Sequence, residues 1–167
     1  MNKRFNAKRV ALCGLLLAMM LILGWVEKQI PTPHPAIKLG LSNSVLIFAV
    51  YMLDIPTAYV LMIFKVFLSN LLFGSLGVTF AMGFAGGVVS LTAMVLISRI
   101  KGMHPVTVSI VGGVMHNVGQ ICMAILVTST PGIVGYLPWL MISGLLLGAL
   151  TGVCADRVMK YMKHMRL

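Results

Sequence analysis

Acidic residues are almost missing from this chain. Glu27, Asp54 and Asp156 are the only three, against 13 Lys and Arg, and they lie far apart in sequence. No pair of carboxylates can hold Mg²⁺ on a diphosphate, and no acid is placed to complete a Ser-His-acid triad around His116. No glycine-rich loop runs into Lys-Ser or Lys-Thr, which excludes a P-loop. Cysteine is equally scarce. Cys13, Cys122 and Cys154 stand alone without metal-ligand spacing and are expected to be small buried hydrophobes. No cofactor and no metal are expected, and the chain is not expected to be an enzyme.

Charge as a whole is thin, at 10% of residues, where an ordinary soluble domain carries about 25%. Hydrophobic residues make up 59% of the 167. These proportions describe an all-α polytopic membrane protein, with residues 1–167 forming a single integral membrane domain. The first apolar run continues from the basic Lys3-Arg4 to Trp25 without a small-x-small cleavage site, so it is expected to stay as a helix.

Six apolar segments can be drawn, at about 8–26, 41–53, 56–73, 78–98, 107–128 and 138–156. A crossing takes about 20 residues, so the second is short on its own and must tilt, begin irregularly or be shielded by its neighbours. Pro56 stops it from fusing with the third, because the residue before a proline disfavours helix. Basic residues then set the orientation. Lys3, Arg4, Lys8, Arg9, Arg99, Lys101, Arg157, Lys160, Lys163 and Arg166 share one side of a six-crossing layout, and only Lys28 and Lys38 take the other. By the positive-inside rule both termini are cytoplasmic and the bundle sits in the cell membrane. Clustering at loops and ends also argues against nucleic acid as the partner of the net +10 charge.

Small residues recur every fourth position. Gly144, Gly148 and Gly152 in the last segment and Gly83 and Gly87 in the fourth are expected to pack against neighbouring helices. Ala7 and Ala11, then Gly14 and Ala18, line the first segment, where the same spacing suits either packing or the docking of another membrane subunit.

Polar residues inside the apolar runs are few, and each is costly in hydrocarbon. His116-Asn117-Val118-Gly119-Gln120 puts His116 and Gln120 on one helical face with Asn117 beside them. Lys65 falls near the middle of its segment, with Ser69 one turn on and Asn70 next to it. Asn43 follows Lys38-Leu39-Gly40-Leu41-Ser42 at the mouth of the short segment, where a capping role competes with a binding role. Glu27 could bridge to Lys28 or Lys38 or face a ligand. His34 lies in the stiff turn Pro31-Thr32-Pro33-His34-Pro35, which suits a rim or lid. Candidate substrate-binding residues are therefore Glu27, Lys38, Asn43, Lys65, His116, Asn117 and Gln120. Their balance of charge favours an anionic or acceptor-rich solute.

Glu27, the Pro-rich turn, Lys38-Leu39-Gly40-Leu41-Ser42-Asn43, Phe73-Gly74-Ser75, Gly86-Gly87-x-x-Ser90, His116-Asn117-x-Gly119-Gln120 and Tyr136-Leu137-Pro138 occur in that order. The set resembles the Gx transporter family, also called heptaprenyl diphosphate synthase component I, over about residues 8–156. That family is similar in size and hydropathy to the substrate-binding S components of energy-coupling factor (ECF) transporters. The resemblance implies a six-helix bundle with both ends inside that captures a small solute from the outer face. It implies that Ala7, Ala11, Gly14 and Ala18 dock a transmembrane coupling subunit served by two ATPases. Family association suggests a quinone or isoprenoid precursor as the solute. The synthase name implies a different role, a non-catalytic membrane component beside a catalytic prenyl synthase subunit, since this chain lacks the aspartate-rich motifs of that chemistry.

Overall fold

The computed structural model describes residues 7–31, 41–73 and 77–164. Lys38, His34 and the rest of 32–40 lie outside them, as do Gly74 and Ser75. The described chain is helical. It comprises α1 (Ala7–Gln29), α2 (Leu46–Met52), α3 (Ile55–Leu72), α4 (Val78–Ser98), α5 (Pro105–Thr128) and α6 (Leu137–His164). Short 3-10 turns, Leu41–Val45 and Pro131–Tyr136, precede α2 and α6. Five helices, all but α2, are long and apolar enough to cross a membrane.

The apolar segment expected over 41–53 is not one helix. It opens as the 3-10 turn, becomes a seven-residue helix, and stops where Leu53 turns extended (φ −116°, ψ −172°). Ser42 and Asn43 account for the irregular start, because short polar side chains offer the backbone alternatives to a regular helix. Asn43 does not cap α2. That position belongs to Val45, and no side chain bonds the first turn.

Helix directions can be read from a few contacts. Arg9, at the start of α1, forms an ion pair with Asp54 and donates to Thr57 Oγ1 (2.8 Å) at the start of α3. Lys28, at the far end of α1, donates to the carbonyl of Phe73 (3.2 Å), which closes α3. Helices α1 and α3 therefore run parallel. Tyr59 meets Thr92 (2.7 Å) and Ser90 donates to the Gly112 carbonyl (2.7 Å), so α4 runs antiparallel to both α3 and α5. Asn117 reaches the Leu140 carbonyl and Ser109 meets Thr151 (3.3 Å), so α6 returns against α5. Arg9, Arg99, Lys101, Arg157 and Lys160 consequently share one end of the bundle, and Asp156 there pairs with Lys160 (2.7 Å).

Glycine makes the α5–α6 approach possible. A Cβ added at Gly148 would lie 2.8 Å from Ile110 Cα, and one at Gly152 2.8 Å from Val106 Cα. The expected packing role of this glycine row is what the structure shows. Gly83 and Gly87 are likewise buried.

The core is shared between Met20 of α1, Leu46, Ile47 and Ala49 around α2, Met62 of α3, Leu91 and Met94 of α4, and Val108 of α5, all buried. The short α2 thus sits at the centre of the bundle. The cysteines differ from expectation: Cys13 is half-buried, and Cys122 and Cys154 are exposed. In a chain solvated by lipid, an apolar side chain gains little from turning inward, so Cys can face outward without cost.

Candidate binding site

Two adjacent glycines of α4 set the level of the site. Gly87 faces Met62 and Val66, on either side of Lys65, while Gly86 faces His116 and Gln120. Lys65 on α3 and His116 on α5 are therefore held at the same level on two sides of α4. A Cβ at Gly86 would stand 2.8 Å from His116 Nδ1 and 2.9 Å from Gln120 Cγ, so only glycine lets this polar face pack so closely.

At this level the expected polar residues form two groups, Lys65 with Asn43 and the His116, Asn117 and Gln120 set on α5. Lys65 Nζ donates to Asn43 Oδ1 at 2.7 Å, and both residues are buried. The 3-10 turn carrying Asn43 packs against α1, α5 and α6. Ser42 and Ser69 flank Gly24 of α1, each with its Oγ 3.8 Å from where a Gly24 Cβ would sit. On α5, Gln120 Nε2 lies 2.6 Å from His116 Nε2, one turn apart on the same face. Asn117 Nδ2 donates to the Leu140 carbonyl of α6 at 2.5 Å, and Gly144 leaves the space through which it reaches.

His116, Asn117 and Gln120 are at most 2% exposed, Lys65 is 7% and Asn43 4%. A lysine this deep is costly without a cavity or a partner, and here Asn43 supplies one partner. Several amide atoms have none among the described residues: Asn43 Nδ2, Asn70 Oδ1, Asn117 Oδ1 and Gln120 Oε1. Each buried orphan of this kind costs about 1–3 kcal/mol, which stability alone does not justify.

Glu27 is buried at 6% exposure, about one turn beyond Gly24 on α1. The neighbouring Lys28 turns outward instead, with its ammonium 4.9 Å from the centre of the Phe73 ring. Sequence reasoning did not assign Ser42, Asn70 or Ser90 to a site, although the first two border this layer and Ser90 locks α4 to α5 beside it. Helical spacing to Lys65 and the Gly86-Gly87-x-x-Ser90 pattern were the available signals.

The small residues of α1 behave differently from those of α6. Ala7, Ala11, Gly14 and Ala18 are all exposed, and a Cβ at Gly14 would meet nothing within 4 Å. They do not serve packing among the described residues.

The sequence matches the family described as heptaprenyl diphosphate synthase component I over residues 16–158. The chain belongs to that family. The matched stretch includes every polar residue of the buried layer, from Glu27 to Gln120. Comparison with curated proteins and with solved structures gave no match. The family and its multi-pass helical character thus stand on the sequence match and on the five membrane-length helices.

Proposed function

We propose that this chain is a membrane-embedded substrate-binding component that captures a small solute from the outer side of the cell membrane. The observation carrying this reading is the buried layer of Asn43, Lys65, His116, Asn117 and Gln120, whose amide atoms include several without partners. Polar groups in hydrocarbon are retained chiefly where they bind or conduct something. Lys65 and the Asn43 amide supply donors for an anionic or acceptor-rich group, with Glu27 as a further contributor and Lys38, outside the described residues, as a candidate from the sequence alone. Capture from outside follows from orientation. The parallel course of α1 and α3 puts Gln29 and Asp54 at opposite ends of the bundle, with the buried Leu46, Ile47 and Ala49 between them in sequence, which supports six crossings with both termini on the basic, cytoplasmic side.

Energy for transport would then come from a partner or an ion gradient, because the sequence carries no nucleotide-binding loop. The exposed Ala7, Ala11, Gly14 and Ala18 suit close approach by another membrane helix, as in an ECF-type assembly with a coupling subunit and two ATPases.

The family name favours a second reading, a non-catalytic membrane component of a heptaprenyl diphosphate synthase working beside a soluble catalytic subunit. Gentle-detergent purification from native membranes, with mass spectrometry of co-purifying proteins, separates the two. Co-isolation of a membrane coupling subunit with an ATPase pair is the expected result. A prenyl synthase subunit in their place would overturn the transport reading.

A further inference from the structure

The hydrogen-bonding partners of Asn117 and Asn43 fix which way each amide points, and so what a ligand must offer. The Leu140 carbonyl can only accept, so Asn117 turns Nδ2 toward it and leaves Oδ1 as the orphan. The Lys65 ammonium can only donate, so Asn43 turns Oδ1 toward it and leaves Nδ2. With the imidazole proton on Nδ1, Gln120 Nε2 donates to His116 Nε2 and leaves Oε1; this contact depends on the tautomer, whereas those of Asn117 and Asn43 do not. The layer thus has two faces. One, on α5, presents the acceptors Asn117 Oδ1 and Gln120 Oε1; the other, on the central 3-10 turn, presents the donor Asn43 Nδ2.

Resting on the substrate-capture reading above, the geometry points to a solute of mixed character. It carries N–H or O–H donors for Asn117 and Gln120 at one end and an acceptor group for Asn43 at the other. Hydroxylated or amide- and amine-bearing small molecules meet this description. A fully deprotonated diphosphate does not, because it would set lone pairs against Asn117 Oδ1 and Gln120 Oε1. An oxidised quinone ring, which carries acceptors only, fails for the same reason, whereas its dihydroxy form satisfies it. The acceptor-rich character expected from the sequence therefore describes one end of the solute, and the α5 carbonyl oxygens select the other.

The test is mass spectrometry of the small molecule retained by the full chain purified from native membranes in mild detergent. It is run in H₂O and D₂O so that the mass increment counts exchangeable hydrogens. At least two exchangeable hydrogens are expected. Gln120→Met should lower retention by about tenfold or more, the scale of one lost hydrogen bond. Gln120→Glu, which keeps a side-chain acceptor in nearly the same volume, should retain more solute than Gln120→Met and guards against a folding defect. Added inorganic diphosphate is expected to leave the melting temperature unchanged. A retained solute without exchangeable hydrogens, or stabilisation by diphosphate that Lys65→Met abolishes, would overturn the mixed-character inference and leave substrate capture standing. No retained solute at all would overturn substrate capture itself, and this inference with it.

Discussion

Arg9 and Asp54 form an ion pair between the starts of α1 and α3, two helices that therefore run in the same direction. The pair is about a third exposed on each side, and exposed pairs contribute roughly 0–1 kcal/mol. Its interest lies in topology. Cysteines placed at Arg9 and Asp54, in a background with Cys13, Cys122 and Cys154 replaced, should cross-link readily. Cross-linking of position 9 to position 73, or of 28 to 54, in place of 9 to 54 would refute the parallel arrangement.

The glycine rows of α1 and α6 should respond in opposite ways to an added methyl group. Gly148→Ala drives its Cβ to 2.8 Å from the backbone of Ile110 and should destabilise the bundle by about 1–3 kcal/mol. Gly14→Ala enters open space and should change stability by less than about 0.5 kcal/mol. Thermal unfolding in one detergent compares them. Equal losses would mean that α1 packs through this face.

Ser90→Ala removes the hydroxyl that donates to the Gly112 carbonyl across α4 and α5. Interhelical hydrogen bonds in membranes average about 0.6 kcal/mol and reach about 1.7. A burial this complete, with Ser90 at 0% exposure, places the expected loss toward the upper part of that range. Unfolding of the variant by a denaturing detergent gives the number, and an unchanged midpoint would count against the contact.

Lys65 and Asn43 should be energetically coupled. Hydrogen bonds to charged groups are worth about 1.5–3 kcal/mol, so Lys65→Met and Asn43→Leu should each destabilise the chain and the double variant should lose less than their sum. Strict additivity in this cycle would show that the two side chains do not depend on each other.

Much of this architecture was legible in the sequence, for reasons that differ by element. The helices α3, α4 and α5 follow from long apolar runs with clear stops: Pro56, the glycine-bearing turns, and Pro105 after the His104 cap. The close packing of α6 through its glycines followed from their spacing, but the spacing does not name α5 as the helix they meet. The central segment was harder. The shortness of its apolar run pointed to a tilted, irregular or shielded segment, but not to Ser42 and Asn43 holding a 3-10 turn against three helices, because that geometry depends on partners distant in sequence. The same holds for the site. His116, Asn117, Gln120 and Lys65 stand out as polar residues in hydrocarbon, but the Asn117 amide is oriented by Leu140 and the Asn43 amide by Lys65, pairs that no spacing rule connects. The cysteines were misread because burial rules drawn from water-soluble cores do not transfer to a surface bathed in lipid.

The brevity of α2 bears on how the chain enters the membrane during synthesis. A five-residue turn and a seven-residue helix fall well below the length at which a segment partitions into lipid unaided. The stretch that ends at Met52 must therefore wait at the translocon, or beside it, until α3 and α4 emerge to surround it. Chains released by a stop codon shortly after Leu53 should leave this segment accessible to water-soluble labels, while chains carried through Ser98 should protect it. The centre of the finished bundle would then be the last part of its first half to settle.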